Sequence, residues 1–361
     1  MKKVTSFAAV VAASALALGA CSGGDSKSAG GSTSDYKACL VSDQGGWDDK
    51  SFNESAYNGL KAAEKDLGVK IGSGESKDVA DFGPNVDAQV SDGCNVIIGV
   101  GFMLAPATLA AAQNNPDINF ALVDSAFTDK DFKVVNVKNG RPLVFNTAEA
   151  AYLAGYVAAG MTKTGTVATF GGKQIPSVSI FMDGFADGVM AYNQAKGKNV
   201  KLLGWDKVTQ HGSFTESFED QNLGKTQTQQ FIDQGADIIM PVAGPVGLGA
   251  AAAAKADGKT LIIGVDSDWY ESTPDYKSIV LTSVMKEIDK AVVDTIKAGK
   301  DGKFSADPYI GTLENGGVAL APFHDFDSKV PAELKDEVKA LTEKIKSGDL
   351  KVESASAPKT K

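Results

Sequence analysis

The chain has 361 residues, with 45 Asp and Glu against 36 Lys and Arg and a formal net charge of −9. An acidic balance excludes a general nucleic-acid binder, which needs a basic surface against phosphates. A single arginine, Arg141, and the lack of a Walker sequence disfavour phosphorylated ligands and leave neutral polar ones.

Met1-Lys2-Lys3 is a short basic stretch, and the apolar run from Phe7 to Leu18 is too short to span a bilayer. Leu18-Gly19-Ala20-Cys21 resembles the bacterial lipobox. That resemblance implies a signal peptide over residues 1–20, lipidation at Cys21 and an extracytoplasmic, membrane-anchored protein. The Gly/Ser tract that completes residues 21–35 reads as a flexible tether with an r.m.s. span of roughly 20 Å. No other apolar run approaches the ~20 residues of a spanning helix, so the membrane is met through the lipid anchor alone.

Ala38 to Ser42 reads as a strand. Ser51-Phe52-Asn53-Glu54 then has the form of a capping box, with Ser51 as N-cap and Phe52 as the first helical residue. Ala56, Tyr57, Leu60, Ala63 and Leu67 make the core stripe of this helix. Phe52 is not a hydrophobic staple, because the staple positions hold Lys50 and Ser55. It is therefore a candidate for presentation outside the helix. A short strand (69–72), a helix (81–92), a strand (95–100), an Ala-rich helix (106–113) and a strand (119–123) ending at Asp124 follow. A further strand is expected over 132–137 and a helix over 147–161.

A second series begins near residue 145. Strands are expected at 165–170, 200–205, 237–241, 261–265 and 279–283, with helices at 178–196, 224–234, after Gly244, and at 284–297. An exposed helix (331–346) and a disordered tail (351–361) close the chain. Short apolar strands between amphipathic helices imply α/β units with parallel sheets covered on both faces. Cys39 and Cys94 each sit at a strand entry and read as a disulfide if those strands are neighbours, or otherwise as two buried thiols.

In open parallel sheets, ligands bind beyond the carboxyl ends of the strands. The residues there are Asp48, Asp49, Phe52 and Asn53 after the first strand, then Phe102 and Met103, and then Asp124 and Ser125. The second half offers Phe181, Gly244, Asp266, Asp268, Trp269 and Lys286. Only two histidines exist, His211 and His324, and neither lies in a motif. With no nucleophile motif the chain reads as a non-enzyme, and Asp266 with Asp268 does not fit a calcium loop. No cofactor or metal is implied. Phe52 and Phe181, one in each half, either face each other across a cleft as a clamp for a flat ligand or pack inside their own lobes; spacing leaves both open.

WDDKSFNESAYNGL, NVIIGVGF, FALVD, AAYLAGYVA, FGGKQIPSV, IIGVDSD and LTSVMK, in that order, resemble the basic membrane protein family of substrate-binding lipoproteins. Its best-understood branch comprises purine nucleoside receptors of ABC transporters. The resemblance spans about Cys39 to Ala321. It implies a type I periplasmic-binding-protein fold, with two Rossmann-like lobes, three crossings and a ligand buried between them. The expected lobes are 36–145 plus 271–311, and 146–270 plus 312–350. The resemblance further implies that Phe52 and Phe181 stack on the base and that Asp49 and Asn53 hydrogen-bond the ligand. Asp124 would hold the base edge, Asp266 and Lys286 the ribose, and Gly244 would admit backbone to the sugar. The implied partners are a nucleoside and ABC permease subunits, with the receptor acting as a monomer. Trp47 and Trp269 depart from the family pattern. Trp269 suggests an alternative receptor for a sugar or other small polar solute, stacked on that indole; a further alternative is an adhesin-like surface lipoprotein.

Overall fold

The computed structural model describes residues 35–131 and 133–358. The signal segment, Cys21 and most of the tether lie outside the described residues.

The chain order is β1 (Lys37–Ser42), α1 (Phe52–Leu67), β2 (Lys70–Gly74), α2 (Val79–Ser91), β3 (Val96–Val100), α3 (Ala105–Asn114), β4 (Asn119–Val123) and β5 (Gly140–Phe145). It continues with α4 (Ala148–Met161), β6 (Thr166–Gly171), α5 (Pro176–Lys196), β7 (Lys201–Leu203), the small hairpin β8 (Trp205–Asp206) and β9 (His211–Gly212), and α6 (Gln221–Asp233). Then come β10 (Ile238–Val242), α7 (Val246–Asp257), β11 (Leu261–Asp266), α8 (Trp269–Ser272) and β12 (Val280–Lys286). The last elements are α9 (Ile288–Lys300), β13 (Tyr309–Gly311), β14 (Val318–Leu320) and α10 (Ala332–Lys346).

Among the described residues these strands form two six-stranded sheets, ordered β13-β5-β4-β3-β1-β2 and β14-β12-β11-β10-β6-β7. Within these two sheets every pairing is parallel except β12 with β14. The central strands β3 and β10 are buried throughout, as their unbroken apolar runs require between two helical layers. The chain crosses between sheets after β5, after β12 and after β13. Glu149 ties the first and third crossings, accepting from Asn146 Nδ2 and from the Leu313 amide, each at 2.7 Å. In the second lobe α5 lies against α4 at glycine spacing: a Cβ on Gly188 would stand 2.0 Å from the Tyr152 carbonyl oxygen. The AAYLAGYVA helix thus fixes the helix that carries Phe181.

Several expectations are corrected. The strand expected over 132–137 gives only an isolated bridge, Thr128 to Val134, and the ladder begins at Gly140. Asn139 sets that start, because its Nδ2 donates to the carbonyls of Ala112, Asn115 and Ile118 while Phe120 bonds its carbonyl. The helix expected from Val284 starts at Ile288, since Val284, Met285 and Lys286 still pair with β14. Residues 280–286, expected with the first lobe, are a strand of the second sheet, because this buried run needs partners on both edges. Among the described residues the expected disordered tail is instead held against the fold as far as Ala357. Val352 is buried, Lys207 donates to the Glu353 carbonyl, and Ser354 Oγ donates to Asp183 at 2.6 Å. Asp183 is fully buried, so its carboxylate demands such donors.

Cys39 and Cys94 are bonded, with Cα atoms 6.0 Å apart on the neighbouring entries of β1 and β3. The bridge closes 55 residues. Replacing both cysteines by serine should lower unfolding free energy by about 4 kcal/mol, read from denaturant melts. An unchanged midpoint contradicts a structural role.

Candidate functional site

The carboxyl ends of both sheets open on one cavity, and its polar walls come from the residues that leave the strands. β4 ends into Asp124 and β11 ends at Asp266. Both take left-handed backbone, with φ +65° and +67°, a conformation uncommon for non-glycine residues and most open to Asp, Asn and His. Between them stands Lys286, the last residue of β12, with 3% of its side chain exposed. Its ammonium pairs with Asp124 Oδ2 and lies 3.2 Å from Asp266 Oδ1. Burial pulls the Lys286 ammonium down, but the two carboxylates more than offset this and hold it above its ordinary value. Burial pushes Asp124 up to about 6 despite the Lys286 charge.

The loop from β1 to α1 supplies another wall. The expected capping box is not formed, because the Ser51 side chain makes no cap. Its hydroxyl instead crosses to the second lobe, donating to the Val265 carbonyl at 2.9 Å and to Asp266 Oδ2 at 3.2 Å. Asp49 takes the capping role. Its carboxylate accepts from the amides of Ser51, Asn53 and Glu54 at 2.8–3.0 Å. This anchors the start of α1 and aims Phe52 at the cleft. The second lobe answers with Phe181 in α5, whose first turn begins at Pro176, a favoured N1 residue.

Asp49, Phe52, Asn53, Asp124, Phe181, Gly244, Asp266 and Lys286 all line this one cavity. The Lys286 ammonium is 5.1 Å from the Phe52 ring centroid and 4.9 Å from that of Phe181. Gly244 has φ +53°, so the turn after β10 favours glycine there. Trp269 is the exception. It is 1% exposed, its indole donates to the Val265 carbonyl at 3.0 Å, and a Cβ on Gly264 would stand 2.4 Å from its ring. Its ring fills the core of the second lobe and does not line the cavity. Trp47 stacks on Tyr57, with centroids 5.2 Å apart, and anchors the β1–α1 loop.

Sequence reasoning missed Asp43, Gln44, Gly101 and Phe218 on the cavity wall. Asp43 was findable, since it directly follows β1. Burial pushes it well above the usual carboxylate range, with Asp49 and Asp124 adding; the Met103 amide and Lys173 oppose only in part. Across the mouth, Lys173 Nζ donates to Gln44 Oε1 at 3.0 Å, joining the lobes.

Burial pushes Asp49 up to about 6 against its three amide donors. The folded state therefore holds a proton there that the unfolded chain releases near 3.8. Its contribution to stability is greatest below about 3.8 and is lost as pH rises to about 6. Asp49→Asn should flatten the thermal-melt profile across that window and cost about 1 kcal/mol from the weakened cap. An unaltered slope contradicts the assignment.

The family described as ABC transporter substrate-binding protein PnrA-like matches residues 37–356. The ABC transporter nucleoside-binding protein BmpA of Lactococcus lactis subsp. cremoris is 33% identical, over 98% of this chain and 99% of its own length. Basic membrane protein A1 of Borrelia garinii subsp. bavariensis is 29% identical, over 86% of each chain. Among solved structures, a solute-binding protein of an ABC transporter system from Aeropyrum pernix K1 is 25% identical with a TM-score of 0.77, covering 88% of this chain and 92% of that one. These likenesses extend over both lobes and the cleft between them. The chain belongs to the Bmp family of PnrA-like ABC transporter substrate-binding proteins, and is a lipid-anchored, extracytoplasmic solute receptor that serves permease subunits and is not an enzyme.

Proposed function

We propose that the solute is a nucleoside, with a purine base, captured between the lobes. The observation that carries this reading is the convergence of Phe52 and Phe181, from opposite lobes, on one cavity and around one ammonium. Two such rings suit a flat base, and stacking on each is worth about 1–3 kcal/mol. In this reading Asp124 and Asp43 meet the base edge. Asp266 and Lys286 meet the ribose hydroxyls, Asp49 and Asn53 support that wall, and Gly244 lets backbone approach the sugar. The nucleoside-binding name of the Lactococcus relative agrees. The sugar reading loses its stacking residue with Trp269 in the core. The receptor acts as a monomer that closes by hinge motion, each lobe contributing contacts that favour the closed state.

A thermal-shift panel on the chain starting after Cys21 tests this. A ligand at about 100 times its Kd adds roughly 2.7 kcal/mol, a shift of a few degrees. Purine nucleosides should raise Tm, while nucleotides and sugars should not. A shift with sugars alone overturns the ligand class.

A further inference from the structure

We infer that the cleft binds purine nucleosides whose base carries a positive charge, such as N7-methylated ones, more tightly than neutral bases of the same shape. This rests on the nucleoside reading above.

Both clamp rings already serve a cation. The Lys286 ammonium lies over the faces of Phe52 and Phe181, at 5.1 and 4.9 Å. A ring face attracts positive charge through its quadrupole, most strongly where water is excluded. A cationic base stacked between the rings meets two such faces, where a neutral base gains only stacking.

The walls carry a matching excess of acid. Asp43, Asp49, Asp124 and Asp266 line the cavity, and Lys286 is the lysine that lines it with them. Lys286 is matched by Asp124 and Asp266. Among the described residues, Asp43 and Asp49 form no ion pair. Lys173, at the mouth, gives its hydrogen bond to Gln44. Asp266 has only a share of that ammonium, which lies 3.2 Å from its Oδ1 and also pairs with Asp124. Unmatched buried carboxylates either hold protons or wait for a positive partner. A delocalised cation supplies that partner and keeps the flat shape the clamp requires.

The test is calorimetric titration of the chain starting after Cys21 with guanosine, 7-methylguanosine and 7-methyl-7-deazaguanosine, just below neutral pH. The last two share a shape and differ in charge while the methylated base keeps its N1 proton. The cation should bind about tenfold tighter than its neutral isostere. Equal affinity for the two overturns the inference. Binding of guanosine with rejection of both methylated ligands also overturns it and leaves the nucleoside reading standing. Failure of all three sinks both. In Lys286→Met, checked for native circular dichroism, the preference for the cation should widen, because the ligand then serves Asp124 and Asp266 as well. A preference that shrinks contradicts the inference.

Discussion

Phe52→Ala should lower nucleoside affinity by about tenfold to a hundredfold while leaving Tm nearly unchanged. The ring is half-buried at the cleft, on the first residue of α1, and the start of that helix is capped by Asp49 and not by Phe52. Its removal costs mainly stacking, about 1–3 kcal/mol. Phe181 is different. It is 1% exposed in the core of the second lobe. Phe181→Ala would open a cavity and cost about 3–5 kcal/mol of stability, which would confuse the binding result. Phe181→Leu keeps most of the volume and removes the ring, so it is the fair partner experiment. Titration beside a thermal melt separates the effects. Wild-type affinity in both Phe52→Ala and Phe181→Leu contradicts the clamp.

Lys286→Met should be among the most damaging single changes to the empty receptor. It leaves Asp124 and Asp266 buried without their common ammonium. Breaking one side of a buried pair costs about 3–5 kcal/mol. The loss should shrink as pH falls, because protonation removes the charge that burial penalises. Asp124, which burial already raises to about 6 beside the ammonium, contributes stability toward acid that is lost as pH rises through that value. Asp124→Asn in the Lys286→Met background should recover part of the loss, by removing one orphaned charge. Urea midpoints at two pH values measure both effects. A pH-independent loss, or no recovery in the double variant, means that the three groups do not act as one unit.

What the sequence disclosed here was mostly local. Phe52 could be singled out because the staple positions beside it are polar, and Asp124 and Asp266 because each ends an apolar run. The errors share one cause, which is competition from distant partners. Ser51 and Asp49 both suit a helix cap, and the choice is made by Val265, 214 residues away, which takes the Ser51 hydroxyl. Trp269 follows two aspartates and reads as a cleft residue, yet the space left by Gly264 and Gly247 draws its indole inward. Lys286 looked like an early helical residue, but pairing with β14 carries the strand to that point and so delivers its ammonium to the cleft. The tail looked disordered because its composition is polar; Ser354 is held by Asp183, 171 positions earlier.

The most direct measurement is a crystal structure of the chain starting after Cys21 grown with guanosine. The base should lie between the rings of Phe52 and Phe181, with its edge toward Asp124 and Asp43 and the ribose beside Asp266 and Gly244. A nucleoside bound elsewhere, or a base that touches neither ring, would contradict it.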